Sequence, residues 1–321
     1  MSRFEFLLKD FSEKFSARQF PENPASLYDP NEYFLSLGGK RVRPVMCLMG
    51  NELFDEINPD AYHVAAAIEL FHNFSLIHDD IMDNAPLRRG MTTLHEKYGS
   101  STALLAGDVM LVKAYEYISR IQPQWMSRIL QLFNKTAREV CEGQQMDMDF
   151  EKRADVSLKE YLHMIELKTS VLLAASLKMG AVLGGAGEGN LKHIYEFGRN
   201  LGIAFQIQDD YLDAFGDPDK FGKQVGGDIL SNKKTFLLIH ALEVAEGEFK
   251  LKLHSLLKSN PTDKVQQVLD IYRSCGVDSW AKELKQQYFK LAMDHLESIA
   301  VLSDRKNTLL QLAEFLISRD Y

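Results

Sequence analysis

Apolar residues recur every three or four positions along nearly the whole chain. Val64, Ile68, Phe71, Phe74 and His78 fall on one such stripe, and Leu191, Ile194, Gly198, Leu201, Phe205 and Asp209 on another. That is the spacing of helices with one buried face. The opening segment repeats it at Phe4, Leu7, Leu8, Phe11 and Phe15, and no stretch alternates convincingly as a strand would. Breaks fall at Pro21 to Pro30, Gly38-Gly39, Pro59, Pro86 to Gly90, Pro123, Gly184 to Gly189, Asp217 to Gly227 and Pro261, which divides the chain into about ten or more helices. No composition shift or flexible linker marks a boundary. The expectation is an all-α protein, one domain over residues 1–321, whose helices form a bundle around a deep central pocket.

Two of the helical stripes run into the same acidic pattern. Asp79-Asp80-Ile81-Met82-Asp83 and Asp209-Asp210-Tyr211-Leu212-Asp213 lie about 130 residues apart. Residues four apart stack on one helix face, so Asp79 lies over Asp83 and Asp209 over Asp213. Each pair offers hard oxygen ligands, and magnesium is held by one or two carboxylates together with waters and substrate phosphates. A single such motif also reads as a solvated acidic helix end. Two copies, each preceded by a phenylalanine (Phe74, Phe205) and followed by a loop with glycine and cations, point to a pair of metal sites clamping a diphosphate.

The basic residues fit that chemistry. Gly38-Gly39-Lys40-Arg41-Val42-Arg43-Pro44 places cations beside two glycines just ahead of a helix opened by Pro44. Glycine lets a backbone approach a ligand closely, lysine acts as a point charge and arginine as a fork for phosphate oxygens. Arg88-Arg89-Gly90 follows the first aspartate cluster, while Lys223 and Lys233-Lys234 follow the second. Arg41 and Lys234 also read as ordinary surface charge. His72, two turns before Asp79, is either a phosphate donor or a satisfied helix histidine. Lys168, Thr169 and Gln206 are polar groups on apolar stripes, and buried polar groups need partners; a diphosphate and helix–helix hydrogen bonds are both open.

Composition then removes other classes. A hydrophobic fraction of 45% with 26% charged residues is that of a globular protein. No run reaches the roughly 18 uncharged apolar residues of a membrane span, and the longest, Val171 to Gly187, contains Lys178. The net charge of −8 argues against a nucleic-acid partner. No secretory signal opens the chain, and Cys47, Cys141 and Cys275 form neither a disulfide framework nor a metal-ligand spacing. A cytoplasmic protein is expected.

Taken together, GGKRVRP at 38–44, HDDIMD at 78–83 with its trailing RRG, AGD at Ala106 to Asp108, the Lys168-Thr169 pair, and FQIQDDYLD at 205–213 with a following GK and distal lysine resemble the trans-isoprenyl diphosphate synthases, the polyprenyl synthetase family. The resemblance runs from roughly Leu35 to Leu238. It implies the isoprenoid synthase fold, a homodimer, three magnesium ions, and head-to-tail condensation of isopentenyl diphosphate with an allylic diphosphate (dimethylallyl, geranyl or farnesyl). By resemblance, Asp79, Asp83 and Asp209 are metal ligands supported by Asp80 and Asp213. Lys40, Arg43, His72 and Arg89 form the isopentenyl diphosphate site. Arg88, Lys168, Thr169, Gln206, Lys223 and Lys233 form the allylic site.

Helix geometry bears on product length. Phe74 lies five residues before Asp79, so its ring sits roughly 7 to 8 Å along the helix from the acidic pair, with Phe71 about 4.5 Å deeper. Phe74 is the expected pocket floor and Phe71 a second one. By resemblance, fifteen-carbon synthases often carry bulk at the position of Ser75 as well, or an insertion in the first motif; this chain has neither. The expected product is geranylgeranyl diphosphate, with farnesyl diphosphate next. A class I terpene cyclase would carry a different second metal motif and has no use for Lys40 and Arg43, and a non-catalytic regulatory subunit of the family would lack one aspartate motif. Both motifs are intact here.

Overall fold

The structure, a computed structural model, describes residues 2–217 and 226–318. Sixteen α-helices run through these residues: α1 (Arg3–Phe15), α2 (Ala25–Ser36), α3 (Val42–Glu52), α4 (Pro59–Met82), α5 (Leu94–Tyr98), α6 (Ser100–Ile118), α7 (Pro123–Glu151), α8 (Leu158–Ile165), α9 (Val171–Leu183), α10 (Glu188–Phe215), α11 (Gly227–Leu230), α12 (Phe236–Val244), α13 (Gly247–Leu256), α14 (Lys264–Ser274), α15 (Val277–Glu297) and α16 (Ser303–Ile317). A π-helical turn, Glu166–Ser170, joins α8 to α9. Two two-residue strands, β1 (Leu87–Arg88) and β2 (Met91–Thr92), pair antiparallel. They are too short to leave an alternating pattern in the sequence. The protein is all-α, as expected.

The helices gather into two compact units. One comprises Met1–Ala137, Ala175–Ile194 and Ala300–Thr308, the other Arg138–Ala174, Tyr195–Ile299 and Leu309–Tyr321.

In the first unit the amphipathic start is α1. Its capping box pairs the Glu5 N–H with Ser2 Oγ at 3.2 Å and the Ser2 N–H with Glu5 Oε2 at 2.7 Å, and Leu7 and Phe11 are buried. The breaks expected at Pro21 to Pro30 end early, because α2 runs through Pro30. Proline there gives up one helical hydrogen bond, and the burial of Pro30, Phe34 and Leu35 offsets that loss. Helix α4 starts with Pro59 at its first position behind Asn58, whose Oδ1 accepts from the Asp60 N–H at 2.9 Å. It packs along α6 and α3, burying Val64, Ile68, Phe71 and Phe74 and so holding its acidic end in place.

The second unit centres on Ile207, Tyr161, Phe236, Val268, Tyr272 and Val277. Ile207 of α10 shares one buried cluster with residues of α8, α12, α14 and α15, and the second aspartate motif follows it on the same helix.

Glycines let several helix backbones touch. A Cβ on Gly180 of α9 would lie 1.8 Å from the Cys47 carbonyl oxygen of α3, and one on Gly50 would lie 2.2 Å from that of Leu177. No side chain can yield there, because the obstacle is backbone. Gly180→Ala should therefore destabilise the protein by about 1–3 kcal/mol or more, read as a lower thermal midpoint by far-ultraviolet circular dichroism. Gly189→Ala, with open space at its Cβ position, should leave the midpoint unchanged; equal midpoints for the two variants would remove the close-packing explanation.

Candidate active site

The first aspartate motif forms the last turn of α4. Successive residues on a helix turn by about 100°, so three aspartates cannot all face one way. Asp83, the C-cap, is exposed and Asp79 half-buried, whereas Asp80 is only 1% exposed. Arg88 meets the buried carboxylate: its Nε donates to Asp80 Oδ1 at 2.9 Å, and its Nη2 reaches Asp79 Oδ2 at 3.4 Å. Burial still holds the Asp80 carboxyl above the usual range, with the Arg88 charge pulling it back. Asp80 thus supports the motif from behind through Arg88, and the outward pair is Asp79 and Asp83.

The hairpin that carries Arg88 explains the Arg-Arg-Gly sequence. Between β1 and β2 only Arg89 and Gly90 make the turn, with φ of 54° and 76°. A two-residue hairpin loop with both φ positive matches the twist of its strands and favours glycine. The turn lays the Arg89 guanidinium against Gly39, where any Cβ would come within 2.8 Å of Nη2. From α3, Arg43 Nη1 donates to His72 Nε2 on α4 at 3.1 Å. Arginine has only donors, so His72 accepts through Nε2 and its proton sits on Nδ1. Burial, then the charges of Arg43, Arg89 and Arg88, hold this imidazole well below its ordinary pKa. Arg43, His72 and Arg89 are therefore brought together, and Lys40 follows Gly39 in the chain. Burial, with the charges of Arg41 and Arg88, lowers the pKa of Arg89, and Glu69 works against them. Arg41 points elsewhere: it pairs with buried Glu69, which Asn73 Nδ2 also contacts at 2.7 Å.

The aromatic stretch behind the motif is continuous. The Phe74 ring lies 4.6 Å from His78 and 5.6 Å from Phe71, Phe71 lies 5.4 Å from Phe133 of α7, and Phe133 lies 5.3 Å from Tyr115 of α6. Ser75 is half-buried beside them and donates to the His72 carbonyl.

In the second unit the pattern repeats on α10. Asp209 and Asp213 are half-buried, and Asp210 is turned inward. Its Oδ2 accepts from the Tyr161 hydroxyl and its Oδ1 from Gln206 Nε2 at 2.8 Å. Burial pushes the Asp210 carboxyl up to about 7 and raises the Tyr161 hydroxyl well above its usual range. Thr169 Oγ1 donates to Gln206 Oε1 at 3.1 Å, and Lys168 Nζ to Asp147 Oδ2 at 2.6 Å. Both residues sit on the π-helical turn, a distortion common at functional sites. Gly143 makes room for it, since a Cβ there would be 2.3 Å from the Lys168 nitrogen.

Asp213 Oδ2 accepts from the Asp228 N–H at 3.0 Å, and Lys233 Nζ lies 3.9 Å from Asp228 Oδ1. Lys234 turns back to the Asn232 carbonyl at 3.2 Å. Lys223 lies outside the described residues.

Asp147, Tyr161, Asp228 and Glu69 are partners that sequence reasoning did not single out. Gly143 and Asp147, four apart on one face of α7, were a usable signal for the first. A tyrosine in an amphipathic helix and an aspartate after two glycines carry none.

No group of three or more His, Cys, Asp or Glu side chains placed to hold a metal occurs among the described residues. Each motif instead presents two carboxylates, the donor set a hard ion takes when waters and substrate oxygens complete its shell. The residues fit a divalent metal of that kind.

Similarity to known proteins agrees with this geometry. Residues 24–274 match the polyprenyl synthetase family, and the chain belongs to it. Polyprenyl synthetases are prenyltransferases that work with a divalent metal. Among its relatives, the chain is 39% identical over 303 residues to the geranylgeranyl diphosphate synthase of Methanosarcina mazei, covering 93% of this chain and 91% of that protein. It is 38% identical over 299 residues to the short chain isoprenyl diphosphate synthase of Methanothermobacter thermautotrophicus, covering 93% and 92%. A crystal structure of a geranylgeranyl pyrophosphate synthase superposes with a TM-score of 0.94 at 41% identity, over 99% of both chains.

Removing one member of a buried ion pair strands the other. Arg88→Ala should cost up to roughly 3–5 kcal/mol, the lower end applying because the Arg88 side chain is 26% exposed. Adding Asp80→Asn should restore part of the thermal midpoint. A double variant less stable than Arg88→Ala alone would show that Asp80 is not held as a compensated charge.

Proposed function

We propose that the protein is a geranylgeranyl diphosphate synthase, condensing isopentenyl diphosphate with allylic diphosphates in a single catalytic domain that carries both aspartate motifs. The observation that carries the reading is the likeness of the two motifs: in each, two carboxylates face outward while the third is buried and hydrogen-bonded from behind, and cations stand close by. Asp79 and Asp83, with Asp209 and Asp213, would hold magnesium, three ions by resemblance. Bound there, the metal supplies positive charge to the diphosphate as it leaves the allylic carbon.

The chain's own groups do the rest. Lys40, Arg43, His72 and Arg89 receive the diphosphate of isopentenyl diphosphate, and neutral His72 offers its Nδ1 proton as a donor. Lys168, Thr169, Gln206 and Lys233, with Arg88 behind Asp79, hold the allylic diphosphate and stabilise charge as its C–O bond breaks. Lys223 belongs to the same set by its place in the sequence. The double bond of isopentenyl diphosphate attacks the allylic carbon, and the proton then lost goes to the released pyrophosphate. Apolar walls exclude the water that would quench the cation.

Phe74 closes the pocket. Behind it, Phe71 is locked between Phe74 and Phe133, so the floor is one ring backed by a packed aromatic block. Ser75 adds no bulk, which favours twenty carbons over fifteen. On α6, Leu104, Leu105, Val112 and Tyr115 are 48%, 55%, 58% and 38% exposed, an apolar stripe suited to a second copy of the chain in a homodimer. No helix among the described residues is long and apolar enough to cross a membrane, and the three cysteines are free; both suit a cytoplasmic enzyme.

Incubation with isopentenyl diphosphate and each allylic primer should give pyrophosphate and a twenty-carbon product. Asp79→Ala and Asp209→Ala should each lower turnover at least about a hundredfold while the helical spectrum is kept; wild-type turnover at saturating magnesium would rule out the metal clamp. Phe74→Ala should lengthen the products by one or a few isoprene units, further with Phe71→Ala added, and Ser75→Phe should shorten them. An active Phe74→Ala enzyme with unchanged products would remove Phe74 as the floor.

A further inference from the structure

Lys264, the first residue of α14, is 1% exposed. Its ammonium donates to Asn232 Oδ1 at 2.8 Å, to Asn260 Oδ1 at 2.8 Å and, more weakly, to the Leu230 carbonyl at 3.5 Å. Three donors meet three acceptors, all of them neutral oxygens. Burial lowers the pKa of this group. A buried ammonium is costly in an apolar core, and an apolar side chain of similar volume usually serves stability as well or better. The lysine therefore calls for a reason beyond packing.

Its acceptors supply one. They come from three segments: the end of α11, the turn after it, and the connection between α13 and α14. Asn232 is left-handed, with φ of 56°, and its Nδ2 donates to the Leu257 carbonyl at 3.2 Å, which fixes Oδ1 toward Lys264. The next residue is Lys233. Its N–H bonds the Asp228 carbonyl at 2.9 Å, and the Asp228 N–H bonds Asp213 Oδ2. The neighbouring Val265 packs where a Cβ on Gly226 would be, 2.6 Å from its Cγ1, and the Gly226 N–H bonds the Asp213 carbonyl at 2.6 Å. Lys264, Asn232, Lys233, Asp228 and Asp210 line one cavity.

We propose that Lys264 is a positioning residue for the diphosphate face of the second aspartate motif, holding the Asn232 turn so that Lys233 and Asp228 keep their places beside Asp213. The inference rests on the reading that Asp209 and Asp213 hold the metal and Lys233 receives the allylic diphosphate.

The test is steady-state kinetics of the whole enzyme, varying farnesyl diphosphate and isopentenyl diphosphate in turn. Lys264→Met keeps the stem and removes the donors. It should raise the KM for farnesyl diphosphate about five- to tenfold and leave that for isopentenyl diphosphate within about twofold. Asn232→Gly, which tolerates the positive φ but loses one acceptor, should move the same constant about two- to threefold, and it decides the matter if Lys264→Met does not fold. In a Lys233→Ala background Lys264→Met should add little, since the two act as one unit. Equal changes in both Michaelis constants, no change in a folded variant, or full additivity with Lys233→Ala would overturn the positioning role. Lys233→Ala alone separates the two readings: if it leaves the farnesyl diphosphate constant unmoved, the allylic assignment itself fails; if it raises that constant while Lys264→Met does not, only the role of Lys264 does.

Discussion

A carboxylate cannot be left charged and dry, and the structure around both aspartate motifs follows from that constraint. A helix that presents two aspartates four apart to one side must turn the intervening aspartate inward. At the first motif the buried carboxylate is answered by a charge, Arg88, delivered by a hairpin whose two-residue turn forces positive φ at Arg89 and Gly90. At the second it is answered by neutral donors, Tyr161 and Gln206. Desolvation dominates at the second site and pushes the Asp210 carboxyl up, with the Lys233 charge pulling it back, whereas Asp80 has a guanidinium hydrogen-bonded to it. The same sequence pattern is thus stabilised by two different chemistries.

These supports couple each acidic face to its cations. Arg88 that neutralises Asp80 also reaches Asp79, and the turn next to it sets Arg89 against Gly39, so the hairpin serves the acidic end of α4 and the basic loop before α3 together. In the other unit Gln206 accepts from Thr169 while donating to Asp210. One amide therefore links the π-helical turn, with its Lys168, to the motif on α10.

Much of this was legible in the chain. Period, breaks and the two acidic motifs gave the helices and the outward carboxylates, because helical spacing is a local property. The stripe Val64, Ile68, Phe71, Phe74 is buried as its period required. What stayed hidden was non-local. Nothing near Arg41 announces that it serves buried Glu69, or near Tyr161 that it bonds Asp210, since partners 28 and 49 residues away are set by packing. Pro30 misled because a proline's local cost was outweighed by burial, a tertiary term that propensity does not contain. The hairpin was invisible for the opposite reason: two residues per strand are too few to show a period.

The glycines connect these levels. Gly39, Gly50, Gly143 and Gly180 look alike in sequence, but each Cβ would meet a different obstacle: a guanidinium, the backbones of α9, the π-helical turn, or α3. A guanidinium at the end of a flexible side chain can move aside, whereas a backbone carbonyl cannot. The cost of a methyl group at 50 or 180 therefore falls on stability, whereas at 39, where φ is 145° and strains any side chain, it falls also on where Arg89 sits. Close approach in one set builds the scaffold and in the other sets the position of a charge. A small residue beside a basic loop and one inside an apolar helix are accordingly different constraints, even where the sequence shows the same letter.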